Sequence, residues 1–177
     1  MHHTQGFNPV PKASFSPALP VGTESLAEYL DIDLTEAIAA KNELRSRLNN
    51  QLPSGIKVLS IAGVPDKTTE AAARNLCCYT VSLSRELSAE DRKNLKSFME
   101  CDSVTITKIR KGRQRLLDIR KVVQSLVVSG EKSLEMVLLS EEGVASSKPV
   151  EILDAVLDIT EEECLVMSIL KVWSKSA

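Results

Sequence analysis

Residues 108–121, "KIRKGRQRLLDIRK", set Lys108, Arg110, Lys111, Arg113, Arg115, Arg120 and Lys121 against Asp118 alone. Cations at this density around Gly112 read as a hairpin tip that can meet phosphate oxygens, each arginine fork taking two at once. The same charges can also do no more than protect a sheet edge. Asp118 and Arg120, two residues apart, are expected to share a strand face and form a surface ion pair of small energetic weight. Base stacking in the manner of an RRM needs exposed aromatics. Aromatic residues are only 3% of the chain, and "RQRLLDIR" has none.

A second polar cluster lies in "TQGFNPVPKAS", residues 4–14. Gln5, Asn8, Lys12 and Ser14 sit on a backbone stiffened by Pro9 and Pro11, and Gly6 permits positive φ or close approach. Such a segment can hold a small anionic or nucleotide ligand, with Lys12 and Asp118 lining the pocket. The competing reading is a structural edge segment anchored by Phe7 and Phe15, with Asn8 capping a turn. Glu24 and Glu28 are two lone carboxylates without a cleft, and no role is assigned to them.

Composition removes several chemistries. His2 and His3 are the only histidines, so no Ser-His-Asp, Cys-His or His-ligated zinc site is expected in the folded body. Cys77, Cys78, Cys101 and Cys164 form no C-x-x-C pair and read as small buried hydrophobes of a reducing compartment. No catalytic residue, metal or cofactor is expected. No apolar run approaches a membrane span, no secretory leader is apparent, and the chain reads as cytoplasmic. The net charge of −2 conceals polarity: the basic stretch is balanced by ten acids between Glu131 and Glu163 that face only Lys132 and Lys148.

The elements that must position these residues alternate in type. "KASFS" and "AEYLDIDL" form an expected hairpin on either side of the turn Pro20-Val21-Gly22-Thr23. Thr35 is a plausible N-cap for "EAIAAKNELRSRLNN", with Ala37, Ala40, Leu44 and Leu48 at helical spacing. "IKVLSIAGV" reads as an apolar strand, and residues 66–76 as a short helical connector. "CYTVSLS" opens a second half. Ser88-Ala89-Glu90-Asp91 has capping-box form for a helix that buries Leu95, Phe98 and Met99. "SVTITKI" and "LLDI" flank the basic tip. "SLVVS" and "SLEMVLLS" form a hairpin around Gly130. Pro149 opens a helix carrying Val150, Leu153 and Leu157, and "CLVMSILKVW" reads as a final buried strand.

The class is α+β: two ferredoxin-like (βαββαβ-related) lobes with antiparallel or mixed sheets. The divisions are 1–65, a truncated leading lobe whose first strand and helix are missing, 66–76, a connector, and 77–177, an α+β lobe. An incomplete leading lobe predicts an exposed apolar patch near Leu30, Ile32, Leu44 and Val58.

"TQGFNPVPKASFSPALPVGTESLAEYLDIDL" resembles the radical SAM-linked protein family, a domain of unknown function found beside, or fused to, radical S-adenosylmethionine enzymes. "KGRQRLLDIRKVV" is similar to that family's second signature, a basic pair and Gly followed by an Asp-Ile-Arg strand. The resemblance covers essentially the whole chain and implies a radical SAM partner and a setting in RNA or ribosome metabolism. Family members carry more chain before the first motif, so a late start is expected, and they have His where Val10 stands. The chain lacks the C-x-x-x-C-x-x-C that would hold an iron-sulfur cluster, so the resemblance implies a companion of the radical enzyme and not the enzyme. The expected function is a non-catalytic module presenting substrate, with RNA as the polymer. A small-molecule domain built on residues 5–14 and a structural interaction domain are the alternatives.

Overall fold

The computed structural model describes residues 1–5, 7–63, 75–110, 112–139 and 147–175. The architecture is mixed α+β. Contacts divide the chain into two compact units, Met1–Ser14 with Leu30–Glu70, and Phe15–Tyr29 with Ala71–Ala177. Residues 15–29 thus group with the larger unit although they lie early in the sequence. Among the described residues, no helix is long and apolar enough to cross a membrane.

β1 (Ala13–Phe15) pairs with β3 (Leu30–Ile32) as expected, but not as a simple hairpin, because residues 23–25 between them form a strand of the larger unit's sheet. The intervening turn also forms, with Thr23 N–H donating to the Pro20 carbonyl and Gly22 at φ +82°, the left-handed geometry that glycine takes without strain. The expected helix is shorter than its periodicity suggested: α1 is Lys41–Asn49, and its N-cap Ala40 makes no side-chain bond. Thr35 therefore caps nothing. The methyls of Ala37 and Ala40 bury too little apolar area to offset the entropy of fixing an extra turn.

"IKVLSIAGV" is a correction, since residues 56–63 join no strand. The Asn49 side-chain amide instead takes both backbone groups of Val58, accepting from its N–H at 2.7 Å and donating to its C=O at 3.1 Å. A side chain thus stands in for a ladder neighbour. The expected connector falls almost wholly outside the described residues. None of the smaller unit's described residues is fully buried.

The larger unit holds a five-stranded sheet in the order β2-β9-β4-β8-β7. Its strands are β2 (Thr23–Ser25), β4 (Leu76–Ser82), β7 (Val123–Val128), β8 (Ser133–Leu139) and β9 (Ser168–Lys175). β2 runs parallel to β9, and the remaining pairs are antiparallel. Strand alternation puts Leu134, Met136 and Leu138 of β8 beside Tyr79 and Val81 of β4 in one buried cluster. Burying such a side chain contributes roughly 1.5–3 kcal/mol, more than the roughly 1–2 kcal/mol needed to fix one residue's backbone.

Helices α2 (Ala89–Glu100) and α4 (Pro149–Leu157) complete that cluster with Leu95 and Phe98, and with Ile152, Leu153, Val156 and Leu157. Both start as the sequence indicated. Ser88 and Asp91 form the reciprocal capping box, and Pro149 occupies the first turn. The last strand is a correction. Thr160 and Glu163 make another capping box, so residues 161–166 form helix α5 and β9 begins only at Ser168.

Candidate nucleic-acid interface

The basic stretch folds as a hairpin of its own, β5 (Thr105–Arg110) and β6 (Arg113–Asp118), paired from Thr105 opposite Asp118 to Arg110 opposite Arg113. Gly112, at φ +73°, supplies the left-handed residue that a two-residue hairpin loop requires. Leu117 is buried and Ile106 packs against the core, so the root is anchored. The Asp118 carboxylate fixes the exit, accepting from the N–H groups of Val104 at 3.0 Å and Arg120 at 3.2 Å. Partial burial works against its ionised form, yet these backbone donors hold it below the ordinary carboxylate range.

The expected strand-face pairing of Asp118 with Arg120 does not occur, because the strand ends at Asp118 and a short helix α3 (Ile119–Val122) starts there. Arg120 turns to the protein's own backbone, donating to the carbonyls of Val123 at 2.8 Å and Met99 at 3.2 Å. Its guanidinium carbon lies 5.9 Å from the Phe98 ring centre. Lys108 is also engaged, 2.8 Å from Glu151 on α4. Glu151 is raised by its burial but lowered more by Lys108 and the Lys148 N–H, and ends below its ordinary value. Arg115, directly opposite Lys108, is exposed, as is Lys121. Arg110 and Arg113 face each other across the ladder at the tip, and Lys111 lies outside the described residues. Cys101, Asp102, Arg120, Lys121, Val123 and Gln124 line a shallow, open depression of about 330 Å³ at the root.

The residue 5–14 segment belongs to the smaller unit, whereas Asp118 belongs to the larger. Its loop is closed by Thr4 N–H donating to the Val10 carbonyl at 2.9 Å and Val10 N–H donating to Thr4 Oγ1 at 3.1 Å. Gln5, Asn8 and Lys12 are exposed and Ser14 is half-buried, while Gly6 lies outside the described residues. The expected aromatic anchors are a correction: Phe7 is fully exposed and Phe15 is 70% exposed. The two hydrogen bonds already close the loop, so no aromatic packing is needed to hold it.

Sequence reasoning passed over a further polar cluster. The Lys171 side chain, 3% exposed on β9, donates to Glu28 Oε1 at 2.8 Å. Ser25 donates to the same oxygen at 2.8 Å, and Ser16 to Oε2 at 3.1 Å. Burial raises the Glu28 carboxyl, but the Lys171 and Ser25 hydrogen bonds outweigh it and hold the group below its ordinary range. Cys77 and Tyr79 lie next to this pair, and burial raises the pKa of both, leaving a neutral thiol and a neutral phenol. Leu26 N–H donates to the Lys171 carbonyl, and Ser174 Oγ to the Ala27 carbonyl. The cluster therefore ties residues 15–29 down onto β9. Two signals stood in the sequence: Ser-x-x-Glu at 25–28, and a lysine within the apolar run "SILKVW". Among the described residues, no group of three His, Cys, Asp or Glu could hold a metal ion.

Residues 1–149 match a family described as an uncharacterized protein conserved in bacteria, DUF2344. The chain belongs to the DUF2344 family. That match takes in the cationic hairpin, the Thr4–Val10 loop and Glu28, and stops short of Lys171. No curated protein and no solved structure matches the chain.

Proposed function

We infer that this DUF2344 protein is a non-catalytic binding module that presents RNA to a radical S-adenosylmethionine enzyme in the cytoplasm. The observation that carries the reading is the β5–β6 arm. Its root is fixed by Leu117 and Asp118, Ile109, Gln114, Arg115 and Leu116 are exposed along it, and the sequence about its turn is dense in Arg and Lys. Two of the cations read from the sequence are already engaged, Lys108 by Glu151 and Arg120 by carbonyls. The tip arginines are the residues proposed to meet phosphate.

The larger unit is read as a ferredoxin-like lobe. β4-α2-β7-β8-α4-β9 run strand, helix, strand, strand, helix, strand, and the four strands lie in the order β9-β4-β8-β7. The arm is then an insertion between α2 and β7, a position where function is often grafted onto a scaffold. The smaller unit is read as a lesser lobe of the same kind. The radical SAM partner rests on the resemblance of the two quoted motifs, together with the lack of C-x-x-x-C-x-x-C in this sequence.

The test is RNA affinity as a function of salt for the wild type, Arg113→Ala and Arg115→Ala. Each lost phosphate contact should flatten the log–log slope by about 0.7–0.9. An unchanged slope in both variants, or no binding by the wild type at low salt, removes RNA from the reading.

An interaction domain is a second reading, favoured by the smaller unit alone. Leu30, Ile32, Leu48 and Ile56 are exposed there, and Leu44 and Val58 are half-buried. Of the four residues named for the expected apolar patch, Leu30 and Ile32 are exposed and a partner protein would cover them, whereas Leu44 and Val58 are already half-buried.

A further inference from the structure

The β5–β6 ladder has two unlike faces. Residues directly opposite one another point the same way, so Ile106 and Leu117, then Lys108 and Arg115, share one face. That face is turned to the protein at its root, where Leu117 is buried and Lys108 reaches Glu151 on α4. Alternation turns Thr105 and Asp118, Thr107 and Leu116, and Ile109 and Gln114 the other way, and all but the half-buried Asp118 are exposed. Ile109 and Leu116 are 70% and 72% exposed and lie diagonally across the two strands. A small apolar platform is thus set between hydroxyl and amide groups, with the exposed Arg115 on the opposite face of the same ribbon.

We propose that this outer face packs against unpaired bases of RNA, so that the arm selects single-stranded or looped RNA over duplex. The proposal rests on the RNA reading above and names its substrate class. Charge complementarity supplies the polymer: residues 108–121 carry seven basic residues against Asp118 alone, of which Lys108 and Arg120 are engaged within the protein. The apolar pair supplies the choice between its forms. A-form duplex hides its base faces by stacking, and its deep, narrow major groove excludes a two-stranded ribbon. An unpaired stretch offers bare base faces, against which aliphatic side chains can pack. Thr107 and Gln114 flank that platform with a hydroxyl and an amide, groups that can hydrogen-bond exposed Watson–Crick edges. Phosphate contacts at the arginines and base contacts at the aliphatic pair are then separable, because only the former release counterions.

The experiment compares wild type, Arg115→Ala and the double variant Ile109→Thr/Leu116→Thr. Threonine keeps the β-propensity of both positions, and neither side chain is in the core. Each protein is titrated with a short unstructured RNA, and with the same strand annealed to its complement, across a salt series. The double variant should bind the single strand roughly tenfold more weakly at every salt concentration with its slope unchanged. Its binding to the duplex should match wild type. Equal affinity of the double variant and wild type for the single strand, while Arg115→Ala still flattens the slope, overturns the base-packing inference and leaves the RNA reading intact. So does an equal loss on single strand and duplex. No binding by wild type to either RNA at low salt removes both.

Discussion

In the larger unit Leu134 and Met136, two residues apart on β8, have no exposure to water at all; in the smaller unit Leu30 and Ile32, with the same spacing on β3, are both open to solvent. Alternation decides which side chains share a face, but only a second layer makes that face an interior. The β8 stripe has α2 and α4 over it, with Leu95, Phe98, Ile152 and Leu153 reaching into the same cluster. α1 has no buried residue, and its nine residues are fewer than an isolated helix needs in water. A two-stranded ribbon is likewise marginal alone. The two units should therefore differ in cooperativity as well as in burial.

Hydrogen exchange offers the sharpest way to break this contrast, and the largest effect. Amides of β4, β8 and β9 should exchange only through global opening. Those of β3 and α1 should exchange through local opening, roughly 10³-fold faster or more. Equal protection of the two sets would show that the smaller unit has a core of its own. A partner that covers Leu30 and Ile32 should slow exchange in β3 and α1 without altering β8.

A second test turns on the charges inside the larger unit. Lys171 is sealed from water, whereas its partner Glu28 is 41% exposed. Removing the carboxylate leaves a buried ammonium without a counter-charge, whereas removing the lysine leaves a carboxylate that can hydrate. Glu28→Gln should thus cost roughly 3 kcal/mol in urea-unfolding stability, and Lys171→Met about 1 kcal/mol or less. Equal losses would show that water reaches Lys171 and that the pair is an ordinary surface bridge.

What was legible in the sequence follows how far each determinant reaches. The Ser88–Asp91 capping box, the Pro20–Thr23 turn, Pro149 at a helix start and Gly112 at the hairpin tip each act over four residues or fewer, and each was readable. The Thr160–Glu163 box was equally local, yet the apolar run "CLVMSILKVW" hid it, since a short helix and a strand can carry the same residues. Glu28 and Lys171 are 143 residues apart, a distance over which no spacing rule operates. The candidate site divides in the same way. Cation density and the turn were visible in "KIRKGRQR", but Glu151 and the Met99 carbonyl, which engage Lys108 and Arg120, belong to other elements. "IKVLSIAGV" has strand composition, but a strand is defined by its neighbour, and Asn49 took that place.

The smallest effect concerns acid, and it separates the anchored charges of the larger unit from its surface pairs. Arg85 donates through Nη1 and Nη2 to both oxygens of Asp91, the latter at 3.2 Å, and through Nε to Glu163 at 2.6 Å. The Arg85 hydrogen bonds, helped by the Ser88 N–H, bring the Asp91 carboxyl down to about 2. In the unfolded chain the same group titrates near its ordinary value, about two pH units higher. The folded state therefore binds the proton less readily, and the stabilisation is complete above about pH 4 and is lost as the pH falls toward 2. Because the Arg85 side chain is 38% exposed, solvent screening reduces the effect to about 1 kcal/mol. Urea midpoints of wild type and Asp91→Asn, taken near pH 5 and again near pH 2.5, isolate it from the other depressed carboxylates, Glu28, Asp118, Glu151 and Glu163. Wild type should lose about 1 kcal/mol more than the variant across that interval. Identical losses would mean that Arg85 holds Asp91 no more tightly than the exposed Lys96–Glu100 pair of α2 is held.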